Sequence, residues 1–263
     1  MRVVNTMMRR DYLVSRSYRL SLLLDAVLGV LNLLIYFFIS RTFASDTTAG
    51  LGGAPTYFAF AAVGVALSLV VIGASARVAL RMREEQLTGT LEALAAQPLS
   101  STEMSLGFAG FHFVFAMGRA TLYLLVAGIW LGVDLSRADW LGFTLVLLAT
   151  AVAMTGVGIV LAAFVLLFRR AQALIGLATL ALALVGGAYF PISVLPGWLA
   201  PLARIVPTRF AFDGVRGALF RGEGWGTPTL VLLAFGAAAL PVAVLLFDLS
   251  LRLARRRGSL ALY

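Results

Sequence analysis

The sequence predicts an all-α integral membrane protein with six transmembrane helices, and three observations carry that prediction. Of 263 residues, 61% are hydrophobic and 13% charged, and the mean hydropathy is +0.96, far outside the range of a domain with a wetted surface. Six stretches supply the roughly 20 apolar residues that a helix needs to cross a hydrocarbon core of about 30 Å. The arginines fall between these stretches, with Arg119 the exception inside a span.

The predicted spans are 21–40, 57–76, 106–131, 140–168, 171–190 and 227–247. The third and fourth exceed the minimum and imply tilt or extension beyond the bilayer. Fourteen arginines fall on one side: Arg2, Arg9, Arg10, Arg16 and Arg19 before the first span, Arg77, Arg81 and Arg83 after the second, Arg169 and Arg170 after the fourth, and Arg252, Arg255, Arg256 and Arg257 at the end. The other side has six, Arg41, Arg137, Arg204, Arg209, Arg216 and Arg221. Cytoplasmic segments near spans retain positive charge, so both termini are expected in the cytoplasm of a multi-pass inner (plasma) membrane protein.

Ahead of the first span, Val3, Val4, Met7 and Met8 oppose Arg2, Asn5, Thr6, Arg9 and Arg10. Residues 1–20 thus read either as a helix lying in the membrane interface or as a polar lead-in. The apolar run that follows is too long for a secretory signal and lacks a small-x-small cleavage pattern, which makes it an uncleaved first span. Residues 21–263 form the transmembrane domain.

Between the second and third spans, residues 77–105 are more ordered in pattern than a connector. Leu87, Leu91 and Leu94 recur at helical spacing, Glu84, Glu85 and Glu92 keep the other side wet, and Pro98 stops the run. An amphipathic helix over about 81–97 reads as a docking surface for a soluble partner. On the opposite side, the long connection 191–226 is broken by Gly186, Gly187, Pro191, Pro196, Pro201 and Pro207, and Trp198 suits an interface. It predicts two short helices, about 197–206 and 208–219, which either dip back into the outer leaflet or rest on its surface.

Composition also excludes chemistries. The chain has no cysteine, hence no thiolate metal site, disulfide or cysteine nucleophile. All 21 basic residues are arginine, so a P-loop lysine, a Schiff base and a lysine general base are absent together. The net charge of +9 does not gather on a soluble face with interleaved aromatics, which argues against a nucleic-acid partner. Gly156-x-Gly158 and Gly186-Gly187 lack a phosphate-cradling context, and close helix packing explains them better. No carboxylate pair, metal cluster or nucleophile arrangement emerges, and no catalytic, cofactor or metal residue is assigned.

Two motifs carry a family resemblance. Arg83, Glu84, Glu85, Gln86, Leu87, Thr88, Gly89, Thr90, Leu91 and Glu92 follow the second span, with Pro98 beyond; Gly187-Ala188-Tyr189-Phe190-Pro191-Ile192-Ser193-Val194-Leu195-Pro196 follows the fifth. With the six spans, the chain resembles the membrane subunit of ABC-2 type transporters, exporter permeases that pair with separate ATPase subunits. The resemblance implies that the first motif is a coupling helix seated in the ATPase and that residues 191–219, with Tyr189, Phe190, Pro191 and Pro196, form re-entrant external helices. It further implies a half-transporter that pairs with a second permease subunit, identical or related, and with two ATPases that hold the ATP and Mg. The chain itself then needs no cofactor and is not an enzyme.

Within the spans, Arg119 is costly, roughly 2.5–3.5 kcal/mol at a helix centre by insertion scales, so it must face protein or water. His112 precedes it by two turns, and Asp25 and Asn32 have the same separation in the first span. Equal depth at about 1.5 Å per residue would pair Asp25 with His112 and Asn32 with Arg119, lining or gating a path. Asp25 facing headgroups and Arg119 meeting backbone carbonyls is the other reading. Tyr36, Phe37, Phe38, Phe43, Tyr57, Phe58 and Phe60 read as an interfacial belt, or as apolar contacts for a passing substrate.

The leading expectation is an ATP-driven exporter of an amphiphilic, lipid-like, drug or lipid-linked glycan substrate. The alternatives are an ion-coupled secondary transporter, which usually needs ionisable groups at the midplane, and a non-transporting assembly scaffold.

Overall fold

The structure, a computed structural model, describes residues 6, 8–13, 19–42, 51–91, 100–168 and 171–257. Among them there is helix and no strand. The order is α1 (residues 8–13), α2 (Arg19–Thr42), α3 (Tyr57–Leu87), α4 (Ser101–Ile129), α5 (Trp140–Leu167), α6 (Ala171–Val185), α7 (Ala200–Ile205), α8 (Pro207–Arg216) and α9 (Gly226–Arg257). A 3-10 turn at Ile192–Val194 precedes α7, and α8 runs on into a π-helical turn, Gly217–Arg221.

Local sequence sets the helix starts. Thr56 caps α3 by accepting from the Ala59 amide at 3.1 Å, and Asp139 caps α5 through the Gly142 amide at 3.0 Å. Ser100 and Glu103 form a reciprocal capping box at the start of α4, which satisfies amides that lack an intrahelical partner. Pro207 opens α8, where a missing amide hydrogen costs nothing.

Helix α3 is the axis of the molecule. It is buried along most of its length, with α4 and α5 on its flanks and α9 packed along α5. Gly158 of α5 makes that approach possible, because a methyl group there would come within 2.7 Å of the Ala74 carbonyl oxygen. This agrees with the packing role read for Gly156-x-Gly158. Helix α2 is more loosely held against α3 and α4, and Leu20, Leu23, Leu28 and Phe38 project outward from it.

Two apolar clusters fill the interior. One surrounds Phe58, Val63, Leu147, Met154 and Phe212; the other joins Met82, Leu91, Met104, Phe108 and Phe247 at the end that carries the 83–91 motif. Residues 8–13 and the end of α9 also lie at this motif end, since Arg10 reaches Glu85 and Leu251 belongs to the same cluster as Leu91.

Among the described residues, five helices are long and apolar enough to cross a membrane: α2, α3, α4, α5 and α9. The predicted fifth span differs. Instead of helix over 171–190, α6 stops after 15 residues at Val185, about 22 Å of rise, because the chain turns at Gly187, whose φ is +85°. Helix α3 departs in the other direction. It continues 11 residues past the predicted span end at 76, roughly 16 Å, and carries the motif on its own last turns.

Candidate functional site

At the motif end, Arg83 to Leu87 belong to the final turns of α3 and not to a separate helix. Thr88 ends α3: its amide and its hydroxyl both reach the Glu84 carbonyl at 2.9 Å. Gly89 then adopts φ +72°, a conformation that favours glycine, and the chain changes direction. Thr90 folds back, donating from its hydroxyl to the Glu85 carboxylate. The result is a tip with Glu84, Leu87, Thr88, Gly89 and Thr90 exposed.

This geometry corrects the described part, residues 81–91, of the amphipathic helix predicted over 81–97. Leu87 is 61% exposed, whereas Leu91 is fully buried against the second apolar cluster. The two leucines do not share a docking face, because the 3.6-residue period was counted across a break at Gly89. Glu85 and Gln86 are buried as well, so only Glu84 of this acidic pair is wet. Glu92, Leu94 and Pro98 lie outside the described residues.

Burial of Glu85 is offset by partners that the sequence pattern did not reveal. Its carboxylate meets Arg10 at 3.1 Å and Arg81 at 3.3 Å, while Asp11, also buried, meets Arg10 at 3.3 Å and Arg81 at 3.5 Å. A four-residue charge knot therefore fastens residues 8–13 to α3 at the base of the exposed tip. The i,i+4 spacing of Arg81 and Glu85 was a legible signal; the arrival of Arg10 and Asp11 was not.

Inside the bundle, Arg119 faces protein, as its cost requires. Its Nη2 donates to the Asp25 main-chain oxygen at 3.2 Å and to the Tyr123 hydroxyl at 3.1 Å, and its Nη1 lies 3.6 Å from the Asp25 carboxylate. Tyr123 donates in turn to the Asp25 oxygen at 3.1 Å. The predicted register is thus corrected. Arg119 pairs with Asp25 instead of Asn32, which is exposed. Asp25 is the seventh residue of α2 and Arg119 the nineteenth of α4, so the two helices do not begin at a common depth. The side chain of His112 lies outside the described residues.

At the far end, Tyr189 stacks on Tyr36 with ring centroids 5.6 Å apart, and its carbonyl accepts from the Tyr57 hydroxyl at 3.1 Å. Phe190 and Pro191 are half-buried beside it, and Pro196 is exposed. The aromatic belt splits: Phe38 is exposed, while Phe58 and Phe60 are core residues. Phe43 lies outside the described residues. The short helices arise close to where they were predicted, with α7 largely exposed and α8 sunk among α3, α5 and α9.

Arg216, counted in the sequence as one of the outer connecting arginines, is instead 2% exposed. Its Nη2 donates to the carbonyls of Gly187 at 2.9 Å and of Phe60 and Ala188 at 3.2 Å, and its guanidinium sits 3.5 Å from the Phe60 ring centroid. Desolvation pushes its pKa down to about 9, against the opposing pull of Asp213, which leaves it charged near neutrality. Its position between Phe212 and Phe220 on one helical face was the available signal.

A central helix that joins a buried polar anchor at one end to an exposed, charge-braced tip at the other, inside a sheath of apolar helices, is the architecture of a multi-pass membrane protein. Residues 3–220 match the ABC-2 type transporter family, and the chain belongs to it. The match takes in the 83–92 motif, the Tyr189–Pro196 segment and α8, and ends before α9. Membership implies association with an ABC ATPase subunit. No curated protein matches the chain.

Proposed function

We propose that the chain is the permease half of an ABC exporter, with both termini cytoplasmic, six crossings including α6 together with the 186–195 segment, and a second permease subunit alongside. ATP and Mg belong to a separate ATPase that docks on the tip formed by Arg83 to Thr90. The observation that carries this reading is α3 itself: one uninterrupted helix of 31 residues links that tip to the far end, so displacement of the tip is delivered across the bilayer. The family assignment supports the same pairing.

The cargo is an amphiphilic or lipid-like molecule, moved outward. What supports it is the apolar interior, in which Arg119, Asp25 and Tyr123 are tied to one another and Leu147, Met154 and Phe212 fill the core. Co-purification with candidate ABC ATPases, followed by reconstitution in liposomes and a screen for compounds that stimulate ATP hydrolysis, tests the proposal. Stable association and stimulation by apolar compounds is the expected result. Failure of every ATPase to bind, or uptake driven by an ion gradient without ATP, would exclude it.

A further inference from the structure

We propose that a cavity beside α8 is a binding site for one anionic group, a phosphate or a carboxylate, held between Arg216 and Arg209. The cavity has a volume of about 200 Å³, is partly open to the outside of the molecule, and is lined by Arg209, Asp213, Arg216, Phe60 and Ser193 among others. Neither the docking tip nor the Arg119 anchor contributes to it.

The charge balance of the cavity wall asks for an anion. Arg216 is buried, yet among the described residues it forms no ion pair, and its Nε has no hydrogen-bond partner. Carbonyl oxygens reach only its Nη2, and the Phe60 and Phe212 rings supply the rest of its compensation. A buried cation whose nearby carboxylate, Asp213, makes no direct ion pair with it is an expensive arrangement, and an anion entering the cavity lowers the expense. The second cation is available too. Arg209 meets Asp213 through one long contact of 3.4 Å, with both side chains about a third or more exposed, a pairing weak enough for an incoming anion to displace. Asp213 then acts as the resident competitor, and the Ser193 hydroxyl offers a neutral donor at the mouth.

The size of the cavity limits the ligand. About 200 Å³ takes a charged head and little else, so any acyl chain or glycan attached to the group projects outward. The same chemistry is offered by a free anion and by an anionic lipid headgroup.

Thermal unfolding of the purified full chain in neutral detergent, titrated with inorganic phosphate and with phosphatidylglycerol against chloride of matched ionic strength and phosphatidylcholine, separates these sources. Stabilisation by both phosphate and phosphatidylglycerol, or by phosphatidylglycerol alone, assigns the site to a lipid headgroup; stabilisation by phosphate alone assigns it to a free anion. In either case Arg209→Gln weakens the apparent affinity about tenfold or more, the loss expected for one charge-assisted contact. Asp213→Asn strengthens it severalfold by removing the competitor. Stabilisation matched by chloride and phosphatidylcholine, an unchanged titration in Arg209→Gln, or a weakened one in Asp213→Asn overturns the proposal. These readouts need no ATPase, so they stand apart from the test of the transport reading.

Discussion

Arg119 of α4 is anchored to Asp25 of α2 chiefly through the main chain: its Nη2 reaches the Asp25 carbonyl oxygen at 3.2 Å, while the carboxylate stands off at 3.6 Å. Tyr123 bonds to that same oxygen, directly opposite Gly29, where any added methyl group would overlap its ring. The anchor matters because, among the described residues, α2 is otherwise held to the bundle mainly by apolar and aromatic contacts. Arg119→Leu is therefore expected to lower stability by about 1.5–3 kcal/mol, the range for hydrogen bonds to a charged group. Asp25→Asn keeps the carbonyl and is expected to lose less than half as much. Thermal unfolding of the two variants decides between this picture and one dominated by the ion pair, in which the losses would be equal.

The two leucines of the motif now predict opposite outcomes. Leu91→Asp places a carboxylate among Met82, Met104 and Phe108 and is expected to destabilise the chain by about 3 kcal/mol or more. Leu87→Asp, at an exposed position, is expected to change stability by less than about 0.5 kcal/mol and instead to weaken ATPase binding. Unfolding measurements with and without the partner check both. Wild-type stability in the Leu91 variant, or full coupling in the Leu87 variant, contradicts the arrangement of the tip.

The two leucines also mark what the sequence could and could not disclose. Hydropathy located the five long helices, since span length and composition are properties of a local window, and the glycine and proline breaks put the short helices within a few residues of 200–205 and 207–216. The face each residue presents was less legible. Gly89 breaks the helical period with a backbone torsion that a run of leucines conceals. The depth match that paired Asn32 with Arg119 assumed that α2 and α4 start level, and nothing in either segment encodes their offset. Arg216 was counted with the loop arginines because its apolar neighbours Phe60 and Ala188 come from distant segments.

Glu85 offers a third test. It is the acceptor shared by Arg10 and Arg81, so Glu85→Gln removes the charge that fastens residues 8–13 to α3. Because Arg10 is itself 39% exposed, solvent screens part of the loss, and a destabilisation of about 1–2 kcal/mol is expected. The larger effect is local: proteolysis near residues 8–13 should quicken several-fold. Glu84→Gln, on an exposed side chain that pairs with Arg81, is the control and should change neither. Equal behaviour of the two variants would show that the knot is not what holds the N-terminal segment.

Arg216 supplies the last prediction, and its sign is informative because removing a buried charge is not always harmful. Substitution by an apolar residue relieves desolvation, which favours the variant. Against this, the Gly187 and Ala188 carbonyls lose their donor, and the Phe60 ring loses its stacked guanidinium. Two orphaned carbonyls at about 1–3 kcal/mol each outweigh the relief, so Arg216→Leu is expected to lose about 2–4 kcal/mol. Arg216→Lys should recover only part, since an ammonium has no planar face to lay on Phe60 and cannot span three carbonyls with a fixed fork. Thermal unfolding at pH 7 ranks the three proteins. A leucine variant as stable as the parent chain would mean that relief of desolvation dominates, and that Arg216 is kept for a ligand and not for the fold.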